Sequence, residues 1–231
     1  MPRKKIVVLS GAGISAESGL STFRDAGGLW EGHDVYEVAS PGGWMKDPEV
    51  VLRFYNARRR QLKDVHPNDA HIALAKLETK YDVVIVTQNV DNLHERAGST
   101  NIIHLHGELT KARSTVPPYN IYDIGYQDIN FGDVCEKGAQ LRPDIVWFGE
   151  AVPLMTDAAA VASTADIFIV VGTSLVVYPA AGLLDYVPRE AVKYIIDPNK
   201  PNVSGLHKNL EFIVEKAATG TPHLVKKLLE S

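Results

Sequence analysis

The sequence predicts an α/β protein: a doubly wound parallel sheet with a smaller second lobe. Three observations support this. Short apolar runs of strand length recur along the chain, several nearly continuous in Val and Ile, as strands covered on both faces require. Helical periods lie between them. The first run, Lys5-Ile-Val-Val-Leu-Ser10, leads directly into Gly11-Ala12-Gly13-Ile14-Ser15-Ala16, the kind of glycine-rich turn that follows the first strand of nucleotide-binding sheets.

Strands are expected at 6–9, 83–87, 102–105, 145–148, 167–171, 194–196 and 212–214. A helix is expected after the Gly11 turn. Asn68 can cap another, which carries Ala70, Ala73, Leu74 and Leu77 on one face. Helical stretches follow at 91–96 and 156–163, and an amphipathic helix at 222–229 closes the chain. Two regions break the alternation. Residues 36–65 are helical and basic; residues 111–141 are irregular, with Pro117-Pro118, Tyr119, Tyr122, Tyr126 and scattered glycines. A patternless stretch of that length inside a compact domain is usually functional or a small subdomain. Both are read as insertions, giving a small lobe (36–65 and 111–141) on a large lobe (1–35, 66–110 and 142–231) within one domain, with a ligand cleft between the lobes.

The composition narrows the classes. A chain of 231 residues, 45% hydrophobic and 23% charged, suits one globular unit. A net charge of −4 disfavours generic nucleic-acid binding. No apolar run has the length of a membrane span, and Met1-Pro-Arg-Lys-Lys5 lacks a signal peptide's apolar core. The single cysteine, Cys135, rules out an internal disulfide, so a reducing, cytoplasmic setting is expected, with the chain as a monomer.

In the first motif, Gly11 permits the tight turn, Gly13 lets the backbone approach a pyrophosphate, and Ala16 lets helix and strand pack closely. Alone, the pattern is weak, because such turns are often only turns. A hydride-transferring dehydrogenase would follow with a second strand ending in Asp or Glu about 20 residues on. Here Gly27-Gly28-Leu29-Trp30-Glu31-Gly32-His33-Asp34 is loop-like, and no Val/Ile-rich strand precedes Val83. That argues against redox use of the nucleotide.

Four further segments set polar groups at strand ends, where open α/β sheets bind ligands. In Thr87-Gln88-Asn89-Val90-Asp91-Asn92-Leu93-His94, Asn89 offers a donor and an acceptor, and Asp91 could orient a bound group; either could equally cap the next helix. Ile103-His104-Leu105-His106-Gly107-Glu108 delivers His106 to a strand end, where imidazole suits a general base. His104 shares its face, and with eight histidines in the chain position alone does not decide between them. Leu141-Arg-Pro-Asp-Ile-Val-Trp-Phe-Gly-Glu150 is the fourth segment. The fifth, Val170-Val-Gly172-Thr173-Ser174 through Ala180, exposes donors for a diphosphate or ribose, or is an ordinary capped turn.

In this order, GAGISAESGLSTFRDAGGLW, TQNVDNLHERAG, HLHGEL, LRPDIVWFGE and VVGTSLVVYPA closely resemble the sirtuin family over nearly the whole chain. The resemblance implies a Rossmann-like large lobe and an NAD-dependent protein-lysine deacylase. It implies that Gly11, Ala12, Gly13, Ser15, Ala16, Glu17, Thr22, Phe23, Arg24 and Trp30 surround the pyrophosphate and nicotinamide. Gln88, Asn89, Val90 and Asp91 would meet ribose and carboxamide; Gly172, Thr173 and Ser174 the phosphate–ribose side; Asp197, Asn199 and Ala217 the adenosine. The family usually has Asn where Asp197 aligns. Catalysis would fall to His106, Asn89 and Asp91. The acyl oxygen of lysine would attack the ribose carbon as nicotinamide leaves, His106 would take a proton from a ribose hydroxyl, and water would complete transfer to O-acyl-ADP-ribose. The partner is then an acylated lysine of a protein, held along Val146, Phe148, Gly149, Val176 and Val177 as an added strand.

Within Arg53-Phe-Tyr55-Asn-Ala-Arg58-Arg-Arg60, Tyr55 and Arg58 share a helix face, and a phenol beside a guanidinium can recognise a carboxylate; a solvated basic face is the plainer alternative. Tyr-x-x-Arg at this place resembles the sirtuins that remove succinyl and malonyl groups, with Gly43 leaving room for the longer chain and deacetylation secondary. The chain departs from the family at its zinc. Most sirtuins hold the ion with four cysteines, whereas here Ser114 stands near the first pair and Cys135 near the second. One thiol cannot form a tetrahedral cysteine site, so no zinc is expected. Tyr119, Tyr122, Ile124, Tyr126, Ile129 and Phe131 are expected to form an apolar mini-core instead. The alternatives are a mono-ADP-ribosyltransferase and a catalytically silent NAD or ADP-ribose sensor, against which a base at His106 counts.

Overall fold

The first strand, β1 (Lys5–Ser10), lies in the middle of the sheet, and Ile6, Val7, Val8 and Leu9 are fully buried, which is why this run has no polar alternation. In a computed structural model, residues 2–20, 29–30, 32–173, 175, 178–200 and 208–231 are described, 29 and 30 through their backbone alone. After β1 come two single-turn 3-10 helices (Ala12–Ile14 and Ala16–Ser18), a short hairpin of β2 (Leu29–Trp30) and β3 (His33–Asp34), and helices α1 (Val35–Val38), α2 (Pro41–Lys46), α3 (Pro48–Asp64) and α4 (Asp69–Leu77). Then follow β4 (Asp82–Thr87), α5 (Leu93–Arg96), β5 (Ile102–His104), β6 (Gly107–Ser114), β7 (Ile121–Asp123), β8 (Leu141–Ile145), α6 (Met155–Ala162) and β9 (Ile167–Val171). A 3-10 helix (Ala180–Tyr186), β10 (Val192–Ile196), β11 (Leu210–Ile213) and α7 (Ala217–Glu230) complete the chain.

The large sheet has the order β11-β10-β9-β1-β4-β5, with every pairing parallel. Alternate residues serve opposite faces. Ile6, Val8, Ile85 and Ile169 pack on Leu74, Leu77, Leu224 and Leu228 of α4 and α7. Val7, Leu9, Val86, Phe168 and Val170 pack on Ala158, Ala162, Leu183 and Leu184 on the other side. The chain builds outward from β1 through β4 and β5, then returns to place β9 on the other flank of β1. The order therefore reverses between β1 and β9, and the crevice beyond their carboxyl ends is where such sheets bind ligands. Among the described residues, no helix is long and apolar enough to cross a membrane.

The second lobe differs from its predicted form. Residues 111–141 are irregular only in part: 111–114, 121–123 and 141 belong to an antiparallel sheet, β7-β6-β8, that reaches from Gly107 to Ile145. A register shift between Glu108 and Ala112 spoils the alternation along β6, whose buried positions are Leu109, Ala112 and Ser114. The strand predicted at 145–148 is not a strand of the main sheet. Only Ile145 is in a strand, β8, and Trp147 is buried against Trp44 and Tyr55 instead.

The aromatic mini-core is also smaller than expected. Ile129 is buried with Leu52 and Ala112, and Ile124 packs on them, but Tyr119 and Phe131 are exposed and the Tyr122 hydroxyl donates to Glu136 at the surface. A polar network does the joining. Fully buried Arg59 donates to the Leu109 carbonyl at 2.6 Å and to Asn56 Oδ1 at 2.7 Å. Asn56 exchanges two hydrogen bonds with the Ile129 backbone, 2.9 and 3.0 Å, so α3 is tied to both β6 and the loop beyond β7.

Three local readings change. The turn after β1 makes two 3-10 turns ended by Gly19 at φ 95°, not an α-helix. Ala16 is exposed, and the buried contact between this turn and the sheet comes from Ile14. The closing helix starts at Ala217, five residues before Pro222, because Glu17 Oε2 accepts from the Ala218 amide at 2.9 Å and caps it from the far end of the chain. Gly43 does not open an acyl pocket: a Cβ there would lie 2.1 Å from the Glu37 carbonyl oxygen, so its size is set by the contact between α1 and α2.

His71 of α4 and His94 of α5 form a buried pair, ring centroids 5.0 Å apart, with His94 Nε2 2.9 Å from Ser10 Oγ. Burial pushes His71 down to about 4 and His94 well below its usual 6.5. Both are neutral in the folded chain, whereas the unfolded chain protonates them as pH falls below 6.5. Stability is therefore expected to hold above that value and to decline below it by about 1.4 kcal/mol per pH unit for each residue. Urea midpoints at about pH 7.5 and 5.5 measure this, and His71→Leu should flatten the slope. A midpoint independent of pH across this window, or an unchanged slope in the variant, would count against it.

Candidate active site

The two turns at the reversal point touch each other. Gly11 N donates to the Val171 carbonyl at 3.1 Å, and Gly13 N donates to the Gly172 carbonyl at 2.8 Å. A Cβ on Gly11 would lie 2.7 Å from Thr173 Cβ, and one on Gly13 would lie 2.7 Å from Gly172 Cα. The glycines are thus required first by the crossing of two loops. The same crossing leaves the backbone there bare enough for a phosphate to approach.

Above this crossing, β4 delivers its polar end. Asn89 Nδ2 donates to Ser15 Oγ (3.1 Å) and to the Gly11 carbonyl (3.2 Å), and Ser15 Oγ donates to Asp91 Oδ2 (2.9 Å). The other Asp91 oxygen accepts from the Leu93 amide at 3.1 Å, so Asp91 both starts α5 and anchors the first turn. Burial pushes the Asp91 carboxyl up, opposed by the Leu93 amide and the Ser15 hydroxyl. Gln88 Nε2 donates to Thr173 Oγ1 at 3.2 Å, tying β4 to the turn after β9.

His106 follows β5. Its Nδ1 lies 2.9 Å from the Gln88 carbonyl oxygen. A carbonyl only accepts, so Nδ1 carries the proton and Nε2 keeps its lone pair. Burial lowers the affinity of the ring for a second proton, and the Gln88 bond offsets this only in part. The half-buried ring is a neutral imidazole ready to accept a proton. Gly107 follows at φ 80°, where a Cβ would lie 1.9 Å from the Asp144 carbonyl oxygen; the glycine lets the chain turn from the large sheet into the small one.

The structure brings together Gly11, Gly13, Ser15, Gln88, Asn89, Asp91, His106, Gly172 and Thr173. Ala12 is exposed on the first turn, and Asp197 directly follows β10, its carboxylate accepting from the Asn199 amide at 2.9 Å. Others take structural parts: Ala217 is buried as the first residue of α7, Glu17 caps that helix, and Val90 packs on the small-lobe core while its carbonyl accepts from Leu109. Thr22, Phe23, Arg24, Ser174, Val176, Val177 and the Trp30 side chain lie outside the described residues. Val146 N donates to the His106 carbonyl at 2.9 Å, whereas Phe148 and Gly149 are exposed beside it.

The sequence reading missed an assembly beside these residues. Arg142 is bidentate to Glu150 (2.7 and 2.9 Å), donates to the Ile145 carbonyl (2.7 Å) and stacks 3.4 Å above the Trp147 ring. Trp147 Nε1 in turn donates to the hydroxyl of Tyr55 at 3.1 Å. Tyr55 is fully buried, and burial raises its hydroxyl far above the ordinary value, so it stays neutral. The only hint was an Arg and a Glu of opposite charge inside one quoted motif. Arg58, one turn beyond Tyr55, lines a cavity of about 480 Å3 together with His33, Val50, Arg53, Phe54, Ala57 and Gln61.

Ser114 and Cys135, the positions set against the two cysteine pairs, do meet: Ser114 Oγ donates to Cys135 Sγ at 3.3 Å, which draws the thiol's pKa down. One thiol and one hydroxyl do not fit a tetrahedral zinc site. A dinucleotide fits the other site well, with backbone free of side chains at two crossing turns, a carboxamide and a carboxylate at the β4 end, and the His106 imidazole held at the Gln88 carbonyl.

The model of the Sir2 family matches residues 11–179. An NAD-dependent protein deacylase of Helicobacter pylori (strain J99) is 56% identical over 227 residues, 98% of this chain and 96% of its own length. The solved structure of a Sir2 homologue in complex with NAD superposes with a TM-score of 0.88 at 39% identity, covering 99% of this chain and 90% of that one. A Sir2 protein bound to acetylated peptide superposes with a TM-score of 0.82 at 29% identity, covering 99% of this chain and 95% of that one. On the fold, the crossed glycine turns and these likenesses together, the chain belongs to the Sir2 family.

Proposed function

We propose that this enzyme removes chiefly acidic acyl groups, succinyl and malonyl, from protein lysines, with weaker deacetylation, and that it yields nicotinamide and O-acyl-ADP-ribose. NAD-dependent protein deacylation itself comes with the family and with relatives such as the Helicobacter pylori enzyme, over nearly the whole chain. NAD, when bound, supplies an electrophilic ribose carbon and a nicotinamide leaving group. His106 Nε2 accepts the ribose hydroxyl proton, because its Nδ1 is committed to Gln88. Asn89 and Asp91, locked through Ser15, orient ribose and carboxamide. The Gly11 and Gly172 turns, locked together by their own amide bonds, bring backbone free of side chains against the diphosphate.

The acyl preference rests on Arg58, a buried guanidinium lining a cavity of about 480 Å3 beside Arg53. Tyr55 acts indirectly in this reading: its hydroxyl is engaged by Trp147, and it fixes the helix turn from which Arg58 projects. A single cysteine supports a cytoplasmic setting, and one chain supplies every group named, so a monomer suffices.

Acetyl-, malonyl- and succinyl-lysine peptides incubated with NAD and followed by mass spectrometry test the reading. Succinyl and malonyl peptides should turn over faster than acetyl. Arg58→Met should lower succinyl turnover about 10- to 100-fold, as expected for losing a hydrogen bond to a charged group, and acetyl turnover only a few-fold. Equal losses on both would overturn the acidic preference. ADP-ribosylated protein without deacylated peptide would point to the transferase and overturn the deacylase.

A further inference from the structure

His104, two residues before the base, has a partner at each ring nitrogen. Nδ1 lies 3.2 Å from the Asn89 carbonyl oxygen and Nε2 lies 2.6 Å from Glu95 Oε1. A carbonyl and a carboxylate only accept, so both nitrogens must donate and the ring is an imidazolium. His106 grips the neighbouring carbonyl, that of Gln88, through Nδ1 alone and is neutral. Two histidines of one segment thus hold two consecutive carbonyls of the loop that carries Gln88, Asn89 and Asp91. One is charged and the other is not.

We propose that His104 is a positioning residue, kept doubly protonated by Glu95, whose grip on the Asn89 carbonyl holds the Asn89 carboxamide and Asp91 in their NAD-binding arrangement. The proposal rests on the site binding NAD. The groups facing the ring are Asp91, His94 and Glu95 from the β4–α5 segment and Glu108 from β6, with Lys111 bound to Glu108. The carboxylates favour the cation, whereas His94 is neutral and Lys111 offsets Glu108. Glu95, His104 and Glu108 have ligand atoms within 4.8 Å of one another, as a metal site would need, but the imidazolium and the Lys111 ammonium already supply the positive charge. Burial disfavours the His104 cation, and its bonds to Glu95 more than offset this, so the ring is held above its usual 6.5.

The sign follows. Below that raised value His104 is charged and the loop is held; as pH climbs through it, the Glu95 bond loses its charge and the loop loosens. Apparent affinity for NAD should therefore fall on the alkaline side, whereas the acid limb belongs to His106. In Glu95→Gln the alkaline limb of kcat/KM for NAD should move about one to two pH units toward acid, with the acid limb unmoved. His104→Gln, which keeps one donor for Asn89, should raise KM for NAD less than His104→Leu does. Superimposable pH profiles for Glu95→Gln and the parent enzyme would overturn the proposal. So would equal effects of the Gln and Leu variants. Nitrogen chemical shifts of the His104 ring in the unsubstituted protein at neutral pH give a readout that needs no activity. Two protonated nitrogens are expected, and one bare nitrogen would overturn the proposal even if deacylation itself were confirmed.

Discussion

Replacing His106 with Asn is expected to lower deacylation by about 10²- to 10⁴-fold, the range for loss of a positioned general base. Asn keeps a donor near the Gln88 carbonyl, so the loop stays in place and only the lone pair of Nε2 is lost. NAD affinity measured by calorimetry should stay within a few-fold of the parent enzyme. The pH profile carries a second check. Burial lowers the His106 ring below 6.5, with only partial return from the Gln88 bond, so the active neutral form persists into mildly acid solution. The acid limb of kcat should therefore lie below the ordinary imidazole value and vanish in the variant. Near-normal turnover in His106→Asn would remove the ring from the chemistry. Weak turnover combined with a large loss of NAD affinity would assign it a binding role instead.

The parallel sheet was legible because its strands are covered on both faces, leaving unbroken runs such as Ile6 to Leu9 and Ile167 to Val171 that no helix period explains. The antiparallel sheet was not. Its strand β6 carries Lys111, Arg113 and a register shift, so the period-2 signal is lost within one turn of chain. The site divides in the same way. His106, Asn89 and Asp91 follow strand ends, where sequence position predicts ligand contact. The cap that Glu17 gives the closing helix lay beyond that logic, because its bond to the Ala218 amide joins residues about two hundred apart. The Arg142–Glu150–Trp147–Tyr55 assembly was hidden for a similar reason: Tyr55 is on α3 and the others follow β8, and only the folded lobe brings them together. Gly43 shows the opposite error. A small residue suggested space, yet the backbone of α1 already fills it.

Gly172→Ala is expected to be strongly damaging for a single-methyl change. Gly172 sits at φ 63°, a left-handed conformation that costs a residue with a Cβ about 1–2 kcal/mol by itself. Space makes it worse. The added Cβ would lie 2.2 Å from the Ile14 amide nitrogen and 2.6 Å from the Gly13 carbonyl carbon, both backbone atoms that no rotamer change can move. The two turns would have to separate, breaking the 2.8 Å bond from Gly13 N to the Gly172 carbonyl and pulling Thr173 away from Gln88. A total of about 3 kcal/mol or more follows, which for a chain of this size lowers Tm by roughly 6–12 °C. NAD affinity should fall further than stability alone explains, because the separated turns no longer form one surface for the diphosphate. Thermal melts with and without NAD check both parts: the variant should melt early and show little of the ligand-induced rise seen in the parent. Gly132→Ala serves as the control, since it also has positive φ (100°) but nothing within 4 Å of the added methyl; its cost should be conformational only, with the NAD-induced rise retained. If the two variants melt alike and respond alike to NAD, contact between the crossed turns is not what fixes the nucleotide site.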